Sequence, residues 1–213
     1  MSKLKEQIST IFGKKNVHII QKEFSSNLEQ KTTSFIQINL QKRSPIKVLM
    51  TNGLSEYKMP VSEKFAGREY NELFFCLPSY WDLEDESNKN MSWVFDILNR
   101  LKNNFIVKET WFGVGHTIPF ANPIQNISET MKEKYFFFTD PIFLEQELIP
   151  IEIDGKTVHF LAIIPIFEDE FDYKIGKGTY KFQKKLDFHH VSELLDDYRS
   201  TVLKTKWTFR RKN

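Results

Sequence analysis

The spacing of apolar positions divides the chain into segments of two periods. Leu4, Ile8, Ile11 and Phe12 recur at helical spacing and predict a surface helix over residues 3–13. Val17 to Phe24 predicts a strand. Phe35 to Leu40 alternates with period two and runs through Ser44-Pro45 into Ile46–Met50, which predicts two neighbouring strands joined by a short turn. Glu72-Leu73-Phe74-Phe75-Cys76-Leu77-Pro78 is a nearly continuous apolar run stopped by proline, the pattern of a strand buried on both faces. Residues 91–103 form the clearest helix: Val94, Ile97, Leu98 and Leu101 make one stripe, with Asn90 or Ser92 as the cap.

The second half continues in the same alternation. Thr110 to Thr117 and Tyr135 to Thr139 predict strands. Asp154-Gly155 between Ile149–Ile153 and Val158–Ile164 predicts a hairpin, because this dipeptide tolerates the positive φ angles of a type I′ turn. From Glu168 the period becomes helical, with Phe171, Ile175, Phe182 and Leu186 on one side and Gly176 and Gly178 weakening or breaking the helix. Val191, Leu194, Leu195, Tyr198 and Val202 predict a last helix. Strands in runs, with helices at both ends and one in the middle, give an α+β fold: a mixed, mainly antiparallel central sheet packed by helices. The expected core includes Phe74, Leu77, Val94, Leu98, Phe160 and Ile163.

Composition narrows the class. The 213 residues are 40% hydrophobic and 27% charged, as in globular proteins, and no linker or repeat divides them. One domain over 1–213 is expected, ending in a basic tail at 204–213. Mean hydropathy is −0.43, no apolar run approaches the ~18 residues of a membrane helix, and the charged N-terminus has no signal core. The expected location is cytoplasmic, with no membrane partner. Cys76 is the one cysteine, so an internal disulfide and a cysteine-built zinc site are excluded. Twenty phenylalanines against three alanines (Ala66, Ala121, Ala162) read more readily as the coding bias of an AT-rich genome than as an aromatic surface, and favour a bacterial source.

The net charge of +2 conceals an asymmetry: residues 1–50 carry +6, residues 51–172 carry −11 and residues 173–213 carry +7. Either the segments neutralise one another in the fold, or the acidic middle meets a basic partner.

No motif supports catalysis. Ser55 follows Asn52-Gly53-Leu54 but lacks the Gly-x-Ser-x-Gly frame of a nucleophile elbow. Cys76 sits in the most hydrophobic strand, where a thiol is inert. Gly113-Val114-Gly115-His116-Thr117 lacks the third glycine of a dinucleotide fingerprint, and Gly176-Lys177-Gly178-Thr179 lacks the Walker spacing. His18, His116, His159, His189 and His190 have no metal-ligand spacing. Glu168, Asp169, Glu170 and Asp172 can do acid–base work or hold Mg²⁺, but suit the solvated first turn of a helix better. Lys204, Lys206, Trp207, Phe209, Arg210, Arg211 and Lys212 interleave bases with aromatics, yet a short basic end is ordinarily solvated, and nucleic acid is not the expected partner. Catalytic residues, cofactors and metal ligands are therefore all expected to be none.

Ordered blocks change the picture. Val48 to Ser55, Arg68 to Pro78 with Trp81, the helix with Trp93 and Leu98, Thr110 to Thr117, and Phe160 to Ile166 with Glu170 and Gly176/Gly178 resemble, in sequence, the suppressor-of-fused domain family over about residues 30–187. The resemblance implies a non-enzymatic domain that binds other proteins. Animal members carry a second domain, for which this chain is too short, and an acidic residue directly before the histidine, where this chain has Gly115. Short bacterial relatives look like immunity proteins that neutralise polymorphic toxins. The resemblance thus implies a cytoplasmic antitoxin that occludes a cognate toxin, a nuclease being one candidate; the alternatives are an enzyme (hydrolase) using carboxylates near Glu170 or His116, or a regulator that sequesters another protein. On this reading Gly53, Gly113 and Gly115 shape turns, Trp81, Trp93 and Trp111 pack the core, and Arg68 pairs with Glu69. A nuclease toxin is basic because it must approach phosphates. The expected contacts on this chain are the carboxylates of Asp82, Glu84, Asp85 and Glu86 and of Glu168, Asp169 and Glu170, taken to be exposed because their segments flank buried apolar runs.

Overall fold

A computed structural model describes residues 2–26, 29–85 and 87–203. The helix α1 (Lys3–Phe12) is capped by Ser2, whose hydroxyl accepts from Lys5 N, and buries Leu4 and Ile8. Strands β1 (Val17–Ser26), β2 (Glu29–Gln41), β3 (Pro45–Thr51) and β4 (Tyr70–Pro78) follow as an antiparallel run. After α2 (Lys89–Val107) come β5 (Thr117–Pro119), β6 (Tyr135–Thr139), β7 (Ile151–Ile153) and β8 (Lys156–Ile166), then α3 (Glu168–Lys177) and α4 (Thr179–Phe188). The strands form one mixed sheet of order β1-β2-β3-β4-β8-β6-β5, with β7 paired to β8. All pairings are antiparallel except β4 with β8. The expected α+β architecture is the observed one.

Alternation along the central strands sends successive side chains to two cores. Leu73, Phe75, Leu77, Phe136, Phe138, Leu161 and Ile163 meet the α2 stripe of Trp93, Val94, Ile97, Leu98 and Leu101. Phe74, Cys76, Phe160 and Ala162 face α1 through Leu4 and Ile8, while Phe137, Ile164 and Ile166 on the same side meet Phe182 and Leu186 of α4. The sheet is therefore sandwiched, and all six expected core residues are buried. The Asp154-Gly155 turn has φ of +51° and +74°, as a type I′ hairpin requires.

Four local expectations are corrected. Residues 110–116 are not a strand: Gly115 has φ +89°, and pairing with β6 begins only where Gly115 N donates to Phe138 O at 2.8 Å. The aromatic alternation there reflects Trp111 against His116 and Phe112 stacked on Phe138. Residues 191–202 are not a helix. Ser192 Oγ accepts from Leu194 N and Asp196 Oδ1 from Tyr198 N, so local side chains hold turns in place of helical bonds. Asn88, not Asn90 or Ser92, caps α2, accepting from Asn90 N at 3.1 Å. Ile175 is exposed, because α3 and α4 are separate helices that break at Gly178.

Candidate functional site

The parallel pair at the centre of the sheet positions the acidic segments. β4 and β8 are in register from Tyr70↔Val158 to Phe74↔Ala162. Running in one direction, they deliver the loop after Pro78 and the first turn of α3 to the same end of the sheet. Beyond Phe74 the strands part. β3 keeps its place beside Cys76, and on the other side residues 194–195 occupy the position β8 has left, with Leu195 N donating to Cys76 O at 2.8 Å. Residues 189–203 thus form a strap between the two acidic segments.

In the loop, Trp81 and Leu83 turn inward and are buried, which leaves Asp82, Glu84 and Asp85 outward and exposed. Trp81 anchors the turn by donating from Nε1 to Met91 O at 3.0 Å. Asp82 Oδ1 accepts from Glu84 N at 2.9 Å, and Asp85 Oδ1 accepts from Ser87 N and Oγ at 3.0 and 2.6 Å. The Ser87 hydroxyl bond holds the Asp85 carboxyl below its ordinary range. Glu86 lies outside the described residues. On α3, Glu168 and Asp169 are exposed; Glu168 pairs with Lys134 at 2.7 Å and Asp169 Oδ2 accepts from Thr201 Oγ1 at 2.9 Å.

Glu170 departs from the expected exposure. It is wholly buried, because the strap crosses it and Arg199 and Val202 N take its oxygens. The fold also adds carboxylates that the sequence reading passed over. Asp196 and Asp197 ride on the strap beside the loop, Asp197 accepting a hydrogen bond from Tyr80 Oη. Sequence reading passes over them because they sit in the net-basic segment 173–213, where the spacing predicts a helix.

Other buried carboxylates hold the fold together. Glu72 accepts from Thr51 Oγ1 (2.5 Å), Gly53 N (3.0 Å), Leu54 N (3.2 Å), and Ser55 N and Oγ (3.0 and 2.7 Å). Burial pushes its carboxyl up, while these donors and Lys102 pull it back. Glu193 accepts from the successive amides of Ile142, Phe143 and Leu144, pinning the loop that inserts Leu144 into the core. A carboxylate surrounded by structural donors has no free lone pair aimed at a substrate. His116 is half-buried with its ring 4.6 Å from that of Trp111; burial, and then Lys174, keep its pKa below the ordinary value. Burial pushes the Cys76 thiol up, away from thiolate chemistry. Arg68 pairs with Asp140 (2.7 and 3.1 Å), not with Glu69 as expected from adjacency. Trp81 and Trp93 are buried and Trp111 packs at the core margin.

The family model described as Suppressor of fused protein (SUFU) matches residues 29–200. The chain belongs to the suppressor-of-fused family. Its members are protein-binding domains. Among solved structures, the fold is similar to Drosophila Suppressor of Fused, with TM-score 0.56 and 17% identity over 79% of this chain. It is also similar to a chain of the Sufu–Fu complex, with TM-score 0.63 and 15% identity over 93% of this chain and 90% of that one. The match spans 42% of the Drosophila chain. No curated protein sequence matches this one. Among the described residues, no helix is long and apolar enough to cross a membrane.

Proposed function

We propose that this suppressor-of-fused domain is a bacterial immunity protein, acting in the cytoplasm, that captures a basic cognate toxin with the acidic end of its sheet. The observation that carries the reading is topological. Parallel β4 and β8 bring Asp82, Glu84 and Asp85 to the same end as Glu168 and Asp169, and the strap adds Asp196 and Asp197 between them. Two segments more than 80 residues apart in sequence thereby contribute to one field. Opposite charge accelerates encounter, and speed matters when the partner is lethal until bound. Buried Glu72, Glu170 and Glu193 are engaged by structural donors, whereas the carboxylates of this surface face solvent.

The reading expects a basic toxin domain encoded beside this chain's gene, and the test is stopped-flow association with that domain. Reversing Asp82, Glu84 and Asp85 to Lys is expected to slow association by about tenfold or more at low salt and to flatten its salt dependence. Glu168→Lys with Asp169→Lys is expected to act in the same direction. Unchanged association in both variants, with the fold intact, would move the binding face elsewhere.

A further inference from the structure

Where β4 and β8 part, the strap does not fill the gap. A cavity of about 410 Å³ remains between the end of β8 and residues 189–202. It opens beside the carboxyl end of β8, which lines it with Ile164 and Pro165, and concave, largely apolar sites with a few polar groups commonly receive ligands. Met131, Ile164, Val191, Leu195 and Val202 give it apolar walls. Glu133, only 1% exposed, and exposed Asp196 are the acidic residues of the lining.

Charge inside this crevice is unequally shared. Arg199 is the cation that serves two buried acids, Glu133 and Glu170. Its Nη1 and Nη2 close on Glu170 at 2.7 and 2.8 Å, and Nη2 also donates to Pro165 O at 2.6 Å. Only Nε faces Glu133, at 3.5 Å. Glu133 is thus a buried carboxylate that accepts from its own backbone amide, has one distant countercharge and lines an open cavity, an arrangement that favours an incoming cation.

We propose that this cavity is a socket for one lysine or arginine side chain of a protein partner, its alkyl stem against the apolar walls and its charge on Glu133. The socket gives the acidic end a point of specificity, and in that sense it rests on the proposed function. Burial pushes the Glu133 carboxyl up to about 7, with Arg199 and its own backbone amide pulling it down and Glu170 and Asp196 adding to the rise. His189 and His190 also line the cavity. Ionisation of Glu133 makes the socket stronger as pH rises.

The test uses the full chain and no toxin: calorimetric titration with butylguanidinium and butylammonium, and with butyrate as the anionic control, at constant ionic strength. Saturable 1:1 binding of the cations is expected, strengthening from about pH 6 to about pH 8. Glu133→Gln should weaken it about tenfold and Asp196→Asn a few-fold, with butyrate not bound. Absence of saturable cation binding, equal binding in Glu133→Gln, or a preference for butyrate would overturn the socket. If Glu133→Gln does not fold, carboxyl-carbon NMR of the unaltered protein replaces it. Saturating butylguanidinium must then lower the Glu133 titration midpoint, because binding and deprotonation are reciprocally linked; an unmoved midpoint refutes the proposal. Loop reversals that slow toxin association, in a protein that binds neither cation, would leave the acidic face standing and remove only the socket.

Discussion

Arg199 holds Glu170 with both arms of its guanidinium, Nη1 to Oε1 at 2.7 Å and Nη2 to Oε2 at 2.8 Å, around a carboxylate with no exposure. The same carboxylate accepts from Val202 N and, in the first turn of α3, from Phe167 N at 2.9 Å. One ion pair therefore joins the end of β8, the start of α3 and the strap.

Removing the arginine should be costly. Arg199→Met leaves Glu170 and Glu133 buried without their cation and is expected to lose about 3–5 kcal/mol in urea melts. Combining it with Glu170→Gln and Glu133→Gln should recover a substantial part, since no uncompensated charge then remains. A loss below about 1 kcal/mol for the single variant would mean that the strap is not held this way.

Glu72 makes a similar prediction about a different turn. Glu72→Ala strips the acceptor from the amides of Gly53, Leu54 and Ser55 and from two hydroxyls, all in a buried turn. A loss of about 3 kcal/mol or more is expected in denaturant melts, with Glu72→Gln intermediate because it keeps one oxygen.

The α2 stripe tests the larger of the two cores. Leu98 has no exposure, and Leu98→Ala is expected to cost about 2–5 kcal/mol. Far-ultraviolet circular dichroism and tryptophan fluorescence should report one transition, as a single folding unit requires. Separate midpoints for the two signals would refute that unit.

Stability should depend on pH through Glu133. Its folded pKa is raised from the ordinary 4.5 to about 7, so between those values the folded state binds more protons than the unfolded one. Stability therefore falls as pH rises across this window and levels off above it, by on the order of 1–3 kcal/mol in all. Subtracting the profile of Glu133→Gln isolates this contribution. A flat difference would show that Glu133 stays ionised.

His116 contributes with the opposite sign. Burial lowers its folded pKa below the ordinary 6.5, so the stability it supports is complete above that value and is lost as pH falls through it. His116→Ala should lower the melting temperature at pH 8 and weaken the acid-side decline. An unchanged melting temperature would remove His116 from the fold's supports.

Periodicity alone locates β1, β3, β4, β6 and β8 and the helices α1 and α2. The run from Leu73 to Leu77 needs burial on both faces, the stripe from Val94 to Leu101 needs one apolar wall, and Asp154-Gly155 dictates its hairpin. These are local constraints, readable because spacing, side-chain size and allowed φ decide them. Residues 191–202 had helical spacing too, but Leu194 and Leu195 are placed by Cys76 on a strand more than 100 positions away, which no local pattern encodes. The candidate site divides in the same manner. That Asp82, Glu84 and Asp85 point outward follows from the inward Trp81 and Leu83. That Glu170 is buried depends on Arg199 crossing it, and that Asp196 joins the acidic end depends on the parting of β4 from β8. Sequence determined which faces must be covered; only the tertiary structure decided what covers them, because the partner of a buried charge is chosen by topology and not by neighbours along the chain.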